Sequence, residues 1–278
     1  MKKKITSDFS VLMSVYKKDN SIFFKQSLES IMNQTLMPNE IILVKDGSLT
    51  EELENVITEY QNNYSNLFKI VSLTSNNGLA NALNEGMRIA KYSIIARMDS
   101  DDICIPDRFE IQINYLIDNQ LDIVGGQIIE FSKNIEDIVS VREVPLQHND
   151  IVLFMKFRSP FSHPTIVFRK DVFNALNGYD VNTFPEDYDF FVRAYLLGFK
   201  FGNVKENVMY FRLGENLSEA IKRRWGGKYA LNEIKLYNKF LRFGFFTYKD
   251  YFKALFLKIP IRILPFKLYS YIYFKFSR

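Results

Sequence analysis

Four short apolar segments, alternating with helix-patterned stretches, constrain the fold of this chain more than any other feature. They are FSVLMSV (9–15), EIILVKDG (40–47), FKIVSL (68–73) and YSIIARM (92–98). Each is bounded by turn residues and too short for a buried helix, so each reads as a strand buried on both faces. Between them, Phe24 to Asn33 puts Leu28, Ile31 and Met32 on one helical face. Glu51 to Tyr60 repeats Leu53, Val56, Ile57 and Tyr60, and Leu79 to Ala90 opens just after Asn77-Gly78. Strand alternating with helix predicts an α/β fold with a mostly parallel sheet flanked by helices. Ligands in such sheets bind beyond the carboxyl ends of the strands. Those ends carry Tyr16, Asp46, and Asp99 with Asp101.

Beyond residue 105 the rhythm changes. Pro106 marks a helix start, with Phe109, Ile113, Leu116 and Ile117 on one face. LDIVGGQIIEF, HPTIVFR and NVMYFRL read as further strands, and FPEDYDFFVRAYLLGF as a helix opening near Pro185. A chain of 278 residues, 47% apolar, can bury a full core as one large domain or a domain with an appendage. Its single cysteine, Cys104, excludes an internal disulfide and points to a reducing compartment. The N-terminus MKKKITSDF lacks the apolar centre of a signal peptide, and no apolar run is long enough to span a bilayer. The expected location is the cytosol.

Charge is unevenly spread. Residues 240–278 hold eight Lys or Arg against one acid, Asp250, and 14 of the 43 aromatics. The overall charge is +4, so a tail of +7 leaves −3 on residues 1–239. We expect a main domain over 1–225 and a basic, aromatic, helical C-terminal region over 226–278. Such a segment suits an anionic bilayer interface; packing as a helical hairpin is the alternative. Nucleic acid is excluded as a partner by the acidic balance of the main domain.

IIARMDSDD places three carboxylates within four positions after the fourth strand. Asp99 and Asp101 form an Asp-x-Asp pair of the kind that holds Mg²⁺ or Mn²⁺ together with substrate phosphates. A solvated acidic turn explains the spacing equally well, and Asp102 fits a cap for the following helix. A second pair, Glu186-Asp187, stands at the start of EDYDFFVRA, where acids also favour the helix dipole.

FSVLMSVYKKD, LESIMNQTLMPNEIILVKDGSLT, NNGLANALNEGM, IIARMDSDDICIPDRFE and FPEDYDFFVRA occur in this order. Together they resemble the family 2 glycosyltransferases of GT-A fold over roughly residues 8–225. ARMDSDDICIPDRFE and LVKDGSLTEEL resemble a bacterial subgroup building O-antigen, capsule or amylovoran-type polysaccharide. The resemblance implies transfer of a hexose, often galactose in β-1,3 linkage, from a UDP-sugar to GlcNAc- or GalNAc-diphosphoundecaprenol, with UDP-glucose and UDP-HexNAc as alternative donors. It implies Val15 and Tyr16 at the uracil and ribose, Asp46 at the uracil N3–H, and Asn77, Gly78 and Asn84 over the nucleotide. Where the family often has Arg, this chain has Leu83, so Arg97 or Arg88 takes that place. Asp99 and Ser100 then belong to the donor site, and Asp99 and Asp101 to the metal. Asp187 is the implied base, and Glu186 contacts donor or acceptor hydroxyls. His163 lies near the acceptor, and Asp189 is part of its helix. The family's Arg-x-His after the last strand is absent, because Gly214 follows Leu213. Lys222, Arg223 and Arg224 are a pyrophosphate clamp or a solvated basic face.

Two other classes fit less well. A nucleotidyltransferase needs a glycine-rich basic loop after the first strand, and SVYKKDNS has no glycine. A non-catalytic sugar- or nucleotide-binding module at the membrane has no use for both Asp101 and Asp187.

Overall fold

Residues 7–214 and 217–276 are described in a computed structural model of the chain. Strands β1 (Phe9–Val15), β2 (Glu40–Lys45), β3 (Phe68–Ser72) and β4 (Ile94–Met98) alternate with helices α1 (Ser21–Met32), α2 (Glu51–Asn63) and α3 (Leu79–Ile89). They pair in parallel in the order β3-β2-β1-β4. Side chains alternate between two cores, one on each face. Leu12, Ile42 and Val44 enter one core, while Val11, Met13, Ile41 and Leu43 enter the other. Burial on both faces explains why these strands are apolar throughout. Met13 pairs with both Leu43 and Met98, so the strand ends carrying Tyr16, Asp46 and Asp99 share one edge.

The second half departs from the expected mostly parallel sheet. It contains β5 (Ile103–Cys104), α4 (Arg108–Asp118), β6 (Ile123–Phe131), β7 (Ile138–Arg142) and α5 (His148–Met155). These are followed by β8 (Val167–Arg169), α6 (Lys170–Leu176), α7 (Glu186–Leu196) and β9 (Phe201–Arg212). β8 runs antiparallel between β4 and β6, and β5 runs antiparallel to β9. β6 pairs antiparallel with β7 and parallel with β9. The sheet is therefore mixed. HPTIVFR is only partly a strand: His163–Thr165 form a 3₁₀ turn, and β8 begins at Val167. β9 extends back past NVMYFRL to Phe201. At Gly202 a Cβ would come within 2.5 Å of the Leu121 side chain and 2.9 Å of the Tyr115 ring, so a larger residue here would have to push those two side chains aside.

α8 (Leu217–Lys222), α9 (Gly227–Arg242), α10 (Tyr248–Ile263) and α11 (Phe266–Phe276) complete the chain. Among the described residues no helix is long and apolar enough to cross a membrane. α9 packs on α7, with the Phe240 and Tyr188 rings 4.9 Å apart. Leu236, Tyr237, Phe240, Phe245 and Phe246 are all buried in the core that α7 lines. Lys239 of α9 bridges Asp180 and the buried Asp189 of α7, both at 2.6 Å, and Arg193 holds the other oxygen of Asp189 at 2.7 Å. Residues 226–246 thus extend the main core, and α10 packs on the same core through Ala254, with Tyr251, Leu255 and Ile259 against it. A truncation before residue 240 would not leave an intact domain. It deletes three buried phenylalanines, each with a truncation cost of about 3–5 kcal/mol.

Candidate active site

The acid cluster forms where β4 runs out. Residues two apart on a strand share a face, so Arg97 and Asp99 project together. Arg97 is 2% exposed and its guanidinium is ion-paired with Asp99, while Nε and Nη1 are buried without a protein partner. Asp99, Asp101 and Asp102 each bring a carboxylate oxygen within 4.8 Å of the others. Burial and then the like charges of Asp99 and Asp19 push Asp101 up to about 7. Asp102 is not a helix cap, because the structure turns it inward. Its Oδ1 accepts the Arg212 N–H at 2.8 Å, and its Oδ2 is buried with no donor. Arg212 also donates from Nε to the Asp101 carbonyl at 2.8 Å, with its guanidinium 3.9 Å from the Phe23 ring centre. Crowded carboxylates and an orphaned carboxylate oxygen fit a hard divalent cation.

Asp19 belongs to this cluster and was missed in the sequence. It accepts from Ser100 Oγ at 2.8 Å and from the Tyr16 N–H at 3.1 Å, and burial first, then Asp99, raises it to about 6. Its only sequence signal is an acid shortly after the first strand. Through this bond Ser100 lies beside the acid cluster.

The residues expected at the nucleotide are placed more variously. Asp46 is buried and receives three donors: Asn77 N–H at 2.9 Å, Gly78 N–H at 3.1 Å and Asn76 Nδ2 at 3.0 Å. A carboxylate has about four acceptor positions, so one remains open. The tight turn needs Gly47 at φ +85°, where a Cβ would meet the Asn76 nitrogen at 2.7 Å. Tyr16 is partly exposed above the edge. Val15 is in the core, so only its backbone reaches the edge, its carbonyl accepting the Asp46 N–H at 2.9 Å. Asn77 is exposed on the 75–78 loop. Asn84 faces elsewhere, with Oδ1 and Nδ2 both bound to the backbone of Tyr179 at 2.8 and 2.9 Å. Leu83 is fully buried in the core, and Arg88 points to solvent, paired with Glu85 at 2.7 Å. Of the two arginines considered for the cationic contact, only Arg97 reaches the site.

The second carboxylate pair opens α7. Burial, then the charge of Asp187, pushes Glu186 up to about 7. Asp187 is also raised by burial, against the Tyr188 N–H, a hydrogen bond from Ser159 Oγ at 3.1 Å, and the charges of Arg224 and Arg97. The charge of Arg97 acts on Asp101, Glu186 and Asp187 alike, lowering each against the rise that burial causes. Ser159 had no sequence signal beyond its place in SPFSHPT. His163 is tied to the core: Nε2 is 3.0 Å from the Tyr179 hydroxyl, and burial with the nearby Arg97 charge holds its ring neutral. Gly214, the residue after Leu213, has a left-handed φ of +80°.

A metal-suited acid cluster at the strand ends and a second carboxylate pair at the start of α7 both feel the charge of one buried arginine, on a mixed α/β sheet. Comparisons with known proteins identify the family and the fold. The model of glycosyl transferase family 2 matches residues 10–176, and that of glycosyl transferase family group 2 matches 94–277. The chain is 35% identical to the UDP-Gal:alpha-D-GlcNAc-diphosphoundecaprenol beta-1,3-galactosyltransferase of Escherichia coli, covering 98% of each chain. It is 35% identical to the amylovoran biosynthesis glycosyltransferase AmsE of Erwinia amylovora, over 96% of this chain and 98% of that one. Two solved structures share the fold. The mannosyltransferase PcManGT of Pyrobaculum calidifontis, in complex with GDP-Man and Mn²⁺, has a TM-score of 0.68 at 16% identity, covering 96% of this chain and 74% of that one. TarS 1–349 of S. aureus with UDP-GlcNAc has a TM-score of 0.66 at 18% identity, covering 98% and 74%. Fold and site define a GT-A-type sugar transferase. The chain belongs to glycosyltransferase family 2.

Proposed function

We propose that this protein is an inverting, metal-dependent hexosyltransferase that moves galactose in β-1,3 linkage from UDP-galactose to GlcNAc- or GalNAc-diphosphoundecaprenol. The observation that carries this reading is the Asp99–Asp101 cluster, ion-paired to Arg97, together with a buried Asp187 on which the same arginine's charge acts. The E. coli relative's name supplies the donor, acceptor and linkage. Asp187 accepts the proton of the acceptor hydroxyl as its oxygen attacks the anomeric carbon; the bond from that carbon to the diphosphate breaks, and UDP leaves from the opposite face. A base whose pKa is raised toward the working pH is suited to this transfer. Asp99 and Asp101 would hold Mn²⁺ or Mg²⁺, which when bound neutralises charge on the departing diphosphate. Tyr16, Asp46 through its open acceptor position, and Asn77 orient the uridine, while Glu186 and Arg97 face sugar hydroxyls.

A panel of UDP-sugars, offered with a synthetic GlcNAc-diphospho-lipid and followed by NMR of the product, tests the reading. UDP-galactose is expected to give a single β-1,3-linked disaccharide. Transfer of glucose or a HexNAc in its place would reassign the donor, and transfer from none of them would sink the proposal.

The same reading places the enzyme on the cytoplasmic face of the membrane, docked through α10 and α11. Phe252 and Phe256 stack 6.2 Å apart on α10, and Tyr248 and Phe256 are 73% and 72% exposed. Ile263, Leu268 and Tyr271 add exposed apolar surface, with Lys249 and Lys253 exposed beside it. Aromatics with cations suit anionic headgroups, each cation contributing about 1 kcal/mol near the surface. In flotation with anionic liposomes, salt should weaken binding without abolishing it, because screening acts on charge and not on insertion. A Phe252→Ser, Phe256→Ser variant should lose most flotation while melting like wild type. Equal flotation of both proteins would leave these helices without a membrane role.

A further inference from the structure

The acid turn that closes β4 is gripped by its backbone from two elements. On α1, Ser27 and Ser30 are three positions apart and share a face, and Gln34 follows just past the helix. Ser27 Oγ donates to the Asp99 carbonyl at 2.8 Å, and Ser30 Oγ accepts the Cys104 N–H at 3.0 Å. Gln34 Nε2 donates to the Ile105 carbonyl at 2.8 Å. Ser27 and Gln34 are both buried. Buried polar side chains persist where they are bonded, and these three bond the stretch that carries the acids.

Arg212 reaches the same turn from β9. Its Nε donates to the Asp101 carbonyl at 2.8 Å, and its backbone N–H donates to Asp102 Oδ1 at 2.8 Å. Nη2 donates to Gln26 Oε1 of α1 at 2.8 Å. The guanidinium is 3.9 Å from the centre of the Phe23 ring and 4.5 Å from that of Phe131. Stacking together with a planar fork of donors holds the group in one orientation.

These bonds leave the carboxylates open. An arginine this close could neutralise Asp101 through an ion pair, yet its Nε goes to the carbonyl. Among the described residues no donor meets the Asp101 carboxylate, and Asp102 Oδ2 is buried without one. Asp99, Asp101 and Asp102 bring oxygens within 4.8 Å of one another. Like charges at that distance repel and would splay an unheld turn. Holding the carbonyls keeps the carboxylates converged while their oxygens stay free for a cation.

We propose that Arg212 and Ser27 are positioning residues for the divalent cation: they hold the Asp101 and Asp99 carbonyls so that the carboxylates stay converged before the ion arrives. This rests on the metal-dependent transferase reading above. Each residue acts through the backbone of an acid and not on the ion.

Charge and grip predict opposite signs. Removing a positive charge beside a cation site should tighten the cation by Coulomb attraction alone. Loosening Asp101 should weaken it. Titration of Mn²⁺ in the presence of UDP, followed by the electron paramagnetic resonance signal of the free ion, measures which prevails. For Arg212→Gln the Mn²⁺ dissociation constant should rise about tenfold or more, as loss of a charge-assisted hydrogen bond predicts, at the wild-type stoichiometry. Arg212→Lys keeps the charge but lacks the planar fork, so its constant should fall between the two. Ser27→Ala, the loss of one hydroxyl, should raise the constant about threefold or more. UDP binding in EDTA should stay within about twofold of wild type in all three variants.

Tighter Mn²⁺ binding by Arg212→Gln would reduce Arg212 to a counter-charge. Unchanged constants with fewer ions bound would make both residues ordinary packing. Either result overturns the assignment, and if Arg212→Gln does not fold, Arg212→Lys and Ser27→Ala decide it by their constants. Wild type that takes up no Mn²⁺ would sink the metal reading and this assignment with it. Wild type that takes it up, beside variants that do so equally well, would sink this assignment alone.

Discussion

Replacing Asp187 by asparagine is expected to lower turnover at least about 10²-fold, with UDP affinity close to wild type. Asparagine keeps the size of the side chain and its acceptor for the Ser159 hydroxyl, so the start of α7 is preserved. The fold should not suffer either. The pKa of Asp187 is raised by burial, so its ionised form is disfavoured in the folded state at neutral pH. A neutral replacement removes that penalty, and the melting temperature should be unchanged or higher. Lost activity in a protein of undiminished stability then isolates proton transfer. Wild-type kcat/KM should rise with pH as the pair loses protons, on a limb shifted above that of an ordinary carboxylate, since Glu186 beside it titrates near 7. Near-normal turnover of the asparagine variant would move the base elsewhere, with Glu186→Gln the next substitution to assay.

Chelation with EDTA is expected to abolish transfer, and Mn²⁺ or Mg²⁺ to restore it. Without a cation, Asp19, Asp99 and Asp101 repel one another, which is why burial and like charge lift Asp101 to about 7. Protons and metal compete for the same oxygens. The metal concentration needed for half-maximal activity should therefore climb as pH falls below about 7. Asp101→Ala removes one of the crowded charges, so the protein should stay folded while calorimetry shows loss of metal-dependent UDP-sugar binding. Full activity in EDTA, or undiminished donor binding by Asp101→Ala, would remove the metal from the reaction.

Much of the N-terminal half was legible because its signals are local. The apolar runs and the helical repeats between them report burial through periodicity within a dozen residues. The four parallel strands therefore emerged in order, with Asp46, Asp99 and Asp101 at their ends. The position of Glu186-Asp187 at a helix start was likewise written in Pro185 and the following pattern. Where partners are distant, local pattern was silent or misleading. Asp102 looked like a cap because a helix follows it, yet its partner is the backbone of Arg212, 110 residues away. Asn84 looked available to a nucleotide, yet both ends of its amide hold Tyr179, 95 residues away.

By itself the sequence determined the α/β class, the strand ends that carry the acids, the two carboxylate pairs and the basic, aromatic character of the C-terminal helices. Each of these depends on spacing along the chain. The tertiary structure alone decided that the sheet is mixed, since pairing direction is a choice between strands far apart in sequence. It also decided that Asp19 and Arg97 join the acid cluster and that α9 belongs to the core through Phe240 and Lys239. In each case the deciding quantity is the electrostatic or packing energy of groups that touch only once the chain has folded.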